Sequence, residues 1–267
     1  MPIAQFDDIC LHYEVHGNAA KPAVVGIMGL ALDQRFWAGQ IPAVTATHSF
    51  ITFDNRGLGG STGPEATSVD DMVTDTIRVL DHLEIERAVM FGASMGGTIA
   101  QRIALDHPER VSGLVLAVTW ARPIEFMRRQ VDLGRMVLRA GGSDAFARAG
   151  AVRMFTPQFF EFGAEMIDGI LQTMQEPGTG SAELVLQAQL NAIEKHDALA
   201  ELSRIGVPTL VLGGKMDQMA PFFASEEIAA AIPAARLVAF ETGHALMVEE
   251  MDAFNTAVSE FLAAMVE

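Results

Sequence analysis

A serine set between glycines is the residue of this chain with the clearest capacity for chemistry. In "FGASMGG", Ser94 stands between Gly92 and Gly96, after the apolar run 87–92 and before an amphipathic pattern over 95–106. A G-x-S-x-G turn between a buried strand and a helix lifts the serine hydroxyl out of a tight bend, where it can attack a carbonyl. An ordinary glycine-rich turn is the alternative, and the flanking strand and helix favour the reactive serine.

A serine hydroxyl needs a base, and the base needs a carboxylate to orient it. Of the seven histidines, His244 in "ETGHALMVEE" directly follows the last predicted strand, at the edge where α/β sheets bind ligands. Asp217 lies in the turn "GGKMDQMAP" after the preceding strand, and Glu125 is the second choice of acid. A loop histidine and a turn-forming aspartate are the alternatives. The pattern predicts a Ser-His-Asp set.

Short apolar runs alternate with helical patterns over most of the chain. After a strand pair in "AQFDDICLHYEVHG", the sequence predicts strands over 23–28, 49–54, 87–92, 113–119, 208–214 and 235–241, and helices over 68–84, 95–106 and 251–265. Runs this apolar suit strands that are buried on both faces. The sequence therefore predicts an α/β fold, with a mostly parallel sheet flanked by helices.

The alternation stops between residues 121 and 200. This segment is helical in pattern, rich in Met and Phe, and interrupted by "RAGGSD" and "EPGTGS". We predict a core of residues 1–120 and 201–267 and a helical cap of residues 121–200 over one end of the sheet. Most apolar side chains of the cap are expected to form its own core: Phe126, Met127, Met136, Met154, Phe155, Phe159, Phe160 and Met166.

The order of serine, aspartate and histidine along the chain is that of α/β-hydrolases. With "GASMGG", "FDNRGLGGST", "GGKMDQMAP" and "ETGHALMVEE", the sequence resembles the α/β-hydrolase superfamily over nearly its whole length. It looks closest to the small lidded esterases, the enol-lactonases and the cofactor-free haloperoxidase-like members. The resemblance implies an α/β-hydrolase fold with an inserted helical cap and a triad of Ser94, Asp217 and His244. It also makes Asp54 and Arg56 part of a structural turn.

Two backbone amides are predicted to stabilise an oxyanion. Met95 is the first residue of the helix after Ser94, so its N–H has no partner within that helix. The second donor, implied by the resemblance, is the N–H of Leu30. The His-Gly pair usual in such relatives is replaced here by Met28-Gly29. Because a backbone donor does not depend on its own side chain, we expect the oxyanion hole to survive this change.

The function expected from these residues is hydrolysis of a small hydrophobic carboxylic ester or lactone through an acyl-enzyme intermediate. Candidate pocket residues are Phe36, Trp37 and Trp120, joined by Phe126 and Met127 from the cap. A cofactor-free haloperoxidase or perhydrolase activity and carbon–carbon bond hydrolysis are alternatives on the same triad. A non-catalytic ligand receptor is the alternative from another class.

Composition limits the partners of the protein. A formal net charge of -16 argues against nucleic acid and anionic membrane surfaces as partners. Cys10 is the only cysteine, so no intrachain disulfide is possible.

The first residues alternate between apolar and polar types and carry charges, unlike a signal peptide, and we expect a cytoplasmic protein. The chain has no metal-ligand spacing, phosphate loop or dinucleotide fingerprint, so neither a metal nor a cofactor is expected. Composition carries no signal for the oligomeric state.

Overall fold

A twisted, mostly parallel sheet forms the centre of the protein. The computed structural model describes residues 2–175, 183–233 and 235–266. These residues form one sheet in the order β1-β2-β4-β3-β5-β6-β7-β8. β2 pairs antiparallel with β1 and β4, and the remaining neighbours run parallel. The strands are β1 (Ile3–Phe6), β2 (Ile9–His16), β3 (Ala23–Ile27), β4 (Ser49–Phe53), β5 (Ala88–Ala93), β6 (Val111–Ala117), β7 (Thr209–Gly214) and β8 (Ala235–Phe240). The predicted mostly parallel α/β sheet is confirmed.

Helices cover both faces of this sheet. They are α1 (Ile41–Thr45), α2 (Val69–His82), α3 (Met95–Asp106), α4 (Glu125–Met154), α5 (Pro157–Gln175), α6 (Glu183–Lys195), α7 (Phe222–Ala231), α8 (Leu246–Glu249) and α9 (Met251–Ala263). Short 3-10 helices cover Gln34–Trp37, Pro108–Arg110 and Leu199–Arg204. In β5, Met90 packs toward α2, α3 and α7, and Phe91 packs toward α1 and α9. This alternation explains why the strand is apolar at every position.

Three helices, α4, α5 and α6, lie between β6 and β7, and we refer to them as the inserted helices. In "RAGGSD", Gly142 interrupts α4 with a φ of 69°, a conformation that glycine adopts without steric cost. The second predicted interruption, "EPGTGS", lies outside the described residues. None of the helices that the structure describes combines the length and apolarity needed to cross a bilayer.

The charged turn after β4 is satisfied within the fold. The Asp54 carboxylate accepts hydrogen bonds from the N–H groups of Gln34, at 2.9 Å, and Gly60, at 2.8 Å. Arg56 donates to both carboxylate oxygens of Asp75, a residue of α2, at 2.7 and 2.9 Å. Each of these charged groups is buried. Their partners identify the segment as a structural turn.

A buried histidine lies where the chain returns from α6 to the core. The Nε2 atom of His196 is 3.4 Å from the Oε1 of Gln101, whose amide donates to the carbonyl of Trp120 at 3.0 Å. Burial lowers the pKa of His196 to about 4, and the charge of Arg102 contributes further. Folded His196 is therefore neutral over a pH range in which an exposed histidine is protonated.

This difference makes folding stability depend on pH. Below pH 6.5 the histidine of the unfolded chain binds a proton, whereas folded His196 stays neutral down to a pH of about 4. Acidification across this window therefore favours the unfolded chain, with a loss approaching about 3 kcal/mol at its lower end. His196→Gln should lack this contribution, as measured by urea unfolding of both proteins between about pH 7 and pH 4.5. A difference in unfolding free energy between them that stays constant with pH would contradict the prediction.

Candidate active site

Ser94 occupies a strained turn between β5 and α3. Its φ of 54° and ψ of −120° are rare for a residue other than glycine. Backbone approaches around it are close: a Cβ atom at Gly92 would lie 2.3 Å from the carbonyl oxygen of Gly96, and one at Gly96 would lie 1.9 Å from that of Ile27. The N–H of Ser94 donates to the carbonyl of Ala117 in β6 at 2.8 Å. Only glycine fits at both positions, and the turn is anchored to the neighbouring strand.

The structure brings Ser94, His244 and Asp217 together at the carboxyl edge of the sheet. The Nε2 atom of His244 lies 2.9 Å from the Oγ of Ser94, and its Nδ1 lies 2.7 Å from the Oδ2 of Asp217. The other oxygen of Asp217 accepts from the N–H groups of Met219, at 2.7 Å, and Ala220, at 2.9 Å. Because an ionised carboxylate only accepts, Nδ1 must donate and Nε2 is left to accept from the hydroxyl.

Glu249 holds the loop that carries His244. Its carboxylate accepts from the N–H of Gly243 at 3.1 Å and from the N–H of Thr156 at 3.2 Å. The hydroxyl of Thr156, which lies between α4 and α5, donates to the same group. These contacts tie the histidine loop to the inserted helices. Sequence reasoning missed this residue, although "HALMVEE" showed an acidic pair close behind the histidine.

The loop after β3 runs beside Ser94. A Cβ atom at Gly29 would lie 3.1 Å from the Cβ of Ser94. Within the part of the chain that the structure describes, the N–H groups of Leu30 and Met95 donate to no protein acceptor. These are the two amides predicted for the oxyanion hole, and both lie in segments that border Ser94.

Two buried side chains hold this loop in the absence of the usual histidine. Asn55 donates to the carbonyl of Met28 at 3.1 Å. Gln189, from α6 of the inserted helices, accepts from the N–H of Ala31 at 3.0 Å. Ala31 has a φ of 66°, which is costly for a residue with a side chain. The contact with Gln189 therefore fixes a strained residue next to Leu30.

A cavity of about 160 Å³ opens onto Ser94 and His244. Among the described residues around it, only Ser94, Gln130, Arg153 and His244 have side chains that are charged or readily hydrogen-bonded; apart from Trp120, the others are apolar or glycine. Three of the predicted pocket residues line it: Phe36, Trp120 and Met127. Of the other apolar residues predicted for the cap, Met154 and Phe155 also line it, while Met136 and Met166 are exposed.

The predictions for Trp37 and Phe126 are wrong. Trp37 is fully buried beneath the sheet, with its ring centroid 4.5 Å from that of Phe91. Phe126 is 47% exposed on the outer side of α4, whereas the next residue, Met127, faces the cavity. Successive residues on a helix point about 100° apart, and this rotation turns Phe126 away from the cavity while Met127 faces it.

Helical periodicity also accounts for lining residues that the sequence analysis did not single out. The first part of α4 contributes Gln130, Val131 and Gly134 along the same face as Met127, at spacings of three, four and seven residues. Other lining residues include Phe146, Ile170, Leu171, Met174, Leu190, Ile193, Met219 and Met247.

The second-choice acid, Glu125, is exposed and pairs with Arg129 at 2.7 Å. No cluster of three or more potential metal ligands occurs within the described residues.

This arrangement can move a proton from the serine hydroxyl to the imidazole and hold the resulting nucleophile against a carbonyl compound. The buried carboxylate would stabilise the imidazolium formed in that step. The apolar walls would exclude water and strengthen electrostatic interactions around the reacting atoms.

Comparison with known proteins identifies the family. The sequence profile described as the alpha/beta hydrolase fold matches residues 15–250. A protein of Azorhizobium caulinodans, provisionally named the carbamate hydrolase RutD, is 34% identical, with 98% of each chain covered. The 3-oxoadipate enol-lactonase 2 of Acinetobacter baylyi is 31% identical, with 97% of each covered. The crystal structure of the enol-lactonase from Burkholderia xenovorans LB400 superposes with a TM-score of 0.91 at 28% identity, over 98% of this chain and 100% of that one. The chain belongs to the α/β-hydrolase family.

Proposed function

We propose that the protein is a serine hydrolase that cleaves a small hydrophobic carboxylic ester or lactone through an acyl-enzyme. The observation that carries this proposal is the hydrogen-bonded series from Asp217 through His244 to Ser94, with steps of 2.7 and 2.9 Å, at an apolar cavity. Such a series makes a serine hydroxyl nucleophilic. The mostly apolar walls of this cavity favour a substrate with a hydrocarbon part next to its carbonyl group.

In the first half-reaction, the Oγ of Ser94 bonds to the carbonyl carbon as its proton passes to the Nε2 of His244. The carbonyl oxygen takes the electron pair and accepts hydrogen bonds from the N–H groups of Leu30 and Met95. Collapse of this intermediate restores the carbonyl and breaks the bond to the alcohol oxygen, which takes the proton from Nε2. With a lactone, that alcohol stays covalently attached to the acyl group.

In the second half-reaction, a water molecule replaces the alcohol. It gives a proton to the Nε2 of His244 and bonds to the acyl carbon, and the same two amides hold the oxyanion. Collapse releases the carboxylic acid and returns the proton from Nε2 to the Oγ of Ser94. Asp217 remains ionised throughout and stabilises the imidazolium in both halves.

Residues 121–200 would act as a cap in this reaction. The inserted helices contribute Met127, Val131 and Leu190 to the walls of the cavity. Covering the site with these side chains would keep bulk water away from the oxyanion and give the acyl group an apolar surface. Binding would then depend mainly on burial of the substrate's hydrocarbon part.

A carbamate is the second candidate substrate, because the relative from Azorhizobium caulinodans is named for carbamate hydrolysis. Serine would attack the carbamate carbonyl in the same way. An aryl acetate and an aryl carbamate with the same leaving group separate the two candidates. Repeated turnover of the carbamate at a rate equal to or above that of the acetate would favour the second candidate. A single burst without turnover would favour the first.

Substitution of the nucleophile tests the proposal directly. Ser94→Ala should lower kcat/KM on a panel of 4-nitrophenyl esters and aliphatic lactones by about 10⁴-fold, because no other group supplies the attacking oxygen. The matched control is Ser259→Ala, on α9, whose hydroxyl donates to the carbonyl of Thr256 at 3.0 Å. Equal activity of Ser94→Ala and the control would refute the mechanism. Wild-type protein that binds these compounds without turning them over would indicate a receptor.

The carboxylate can be tested without changing the size of the side chain. Asp217→Asn presents an amide to Nδ1, and an amide that donates there leaves the proton on Nε2, where it blocks acceptance from the hydroxyl. We expect kcat to fall by about 10³-fold or more with KM nearly unchanged. Asp252→Asn, at an exposed position of α9, serves as the control. Unchanged kcat in Asp217→Asn would show that another acid orients the histidine.

Gln189 should affect the rate through the oxyanion loop. Gln189→Leu leaves the N–H of Ala31 without its acceptor, so the amide of Leu30 would lose its fixed position. We expect kcat to fall by about tenfold, less than complete removal of a donor would cost, with little change in KM. Gln189→Glu should restore most of the rate, since either protonation state of a carboxyl group can accept.

The matched control for this experiment is Gln187→Leu. Gln187 lies on the same helix, and its amide donates to Asn191 at 3.2 Å, away from the loop. A loss shared equally by Gln187→Leu and Gln189→Leu would assign the effect to α6 as a whole. Failure of Gln189→Glu to recover activity would also count against the positioning role.

A further inference from the structure

Arg153 brings a full positive charge to a cavity that is otherwise lined mostly by apolar side chains. It is the penultimate residue of α4 and lines the cavity that opens onto Ser94. No Asp, Glu or Lys is among the described residues around this cavity. Burial lowers the pKa of the Arg153 guanidinium from its ordinary value, although an arginine stays protonated at neutral pH. A charge placed there costs desolvation free energy unless an anion accompanies it.

The contacts of Arg153 leave that charge without a carboxylate partner from the described residues. Its Nε donates to the carbonyl of Ala149 at 3.1 Å, and its Nη1 donates to the Oε1 of Gln130. Arg148, five residues earlier on the same helix, pairs with Asp144 at 2.9 Å and lies outside the cavity. A solvent-facing arginine of α4 is thus neutralised, while the acceptors of the one at the cavity are, among the described residues, uncharged.

Gln130 fixes the guanidinium in place. Its side-chain amide donates to the carbonyl of Gln218 at 2.7 Å, and its oxygen accepts from Arg153. Gln218 directly follows Asp217, so this bridge connects the cavity wall to the turn that carries the proposed catalytic carboxylate. An arginine held by neutral groups is pre-organised, and its remaining N–H groups can bind an anion at little further entropic cost.

We propose that Arg153 binds a carboxylate carried by the substrate, so that the preferred ester or lactone is anionic at one end and apolar between that end and the scissile carbonyl. This inference rests on the proposed function and narrows its substrate class. A guanidinium matches the planar geometry of a carboxylate with two parallel hydrogen bonds. The low polarity of the surrounding walls strengthens such a contact. The apolar residues between Arg153 and Ser94 would accept the methylene groups of the substrate.

Matched substrates test the inference. The 4-nitrophenyl monoesters of succinate, glutarate and adipate are compared with neutral 4-nitrophenyl esters of equal acyl length. A second pair, 4-acetoxybenzoate and phenyl acetate, moves the carboxylate to the leaving group. The variant Arg153→Met removes the charge and keeps an unbranched side chain, and Arg148→Met is the control on the same helix.

We expect Arg153→Met to affect only the carboxylate-bearing substrates. Arg153→Met should lower kcat/KM for the best carboxylate-bearing substrate by about tenfold to a hundredfold, the range of a lost charge-assisted hydrogen bond. Neutral esters should keep their kcat/KM, and Arg148→Met should change neither class. Equal losses on charged and neutral substrates would assign Arg153 a structural role and overturn the inference. No change on any carboxylate-bearing substrate would overturn it as well.

A binding measurement separates this inference from the proposed function. Titration calorimetry of Ser94→Ala with glutarate and adipate should show binding that is lost when Arg153→Met is added. Binding that persists in the double variant, or is absent from Ser94→Ala, refutes the carboxylate site even if neutral esters are hydrolysed. If the wild-type protein binds these dicarboxylates through Arg153 but cleaves no acyl donor, the carboxylate site is supported and the proposed hydrolase function is refuted.

Discussion

The hydrogen bonds from Asp217 to His244 and from His244 to Ser94 impose the strictest constraint on this structure. An imidazole accepts a proton at Nε2 when its ring hydrogen is on Nδ1, and Asp217, 2.7 Å from Nδ1, favours that tautomer. The three residues follow β5, β7 and β8, whose carboxyl ends meet at one edge of the sheet. A slip in the register of any of these strands would break the series. The apolar core that fixes their register is therefore also what sets the geometry of the site.

Strain is concentrated at the same edge. Ser94 and Ala31 both have positive φ without being glycine, at a cost of roughly 1–3 kcal/mol each. Each is held by a hydrogen bond from its own N–H to another element, β6 for Ser94 and α6 for Ala31. The inserted helices thus do more than line the cavity, because one of them stabilises the loop beside Ser94. Glu249 makes a second such connection, from Thr156 to the histidine loop.

The sequence was sufficient to predict the strands, their mainly parallel arrangement and the convergence of Ser94, Asp217 and His244, because these follow from hydrophobic runs and chain order. The sequence was insufficient to predict in which direction each side chain of a short helical turn points. Phe36 and Trp37 are adjacent, yet one faces the cavity and the other packs under the sheet. Contacts between segments that are distant along the chain could not be predicted from the sequence either. Gln189 meets Ala31 across 158 positions, and no local pattern marks either residue.

Charge in this protein acts over two different ranges. The acidic surface implied by a net charge of -16 acts through solvent and is screened over about 8–10 Å at moderate salt. Contacts inside the cavity act at hydrogen-bond distance between mostly apolar walls, so a single guanidinium can outweigh the surface charge there. An anionic substrate would therefore be attracted locally while being repelled at long range. Hydrolysis would add a second carboxylate at Ser94, and the same acidic surface would then favour departure of the product.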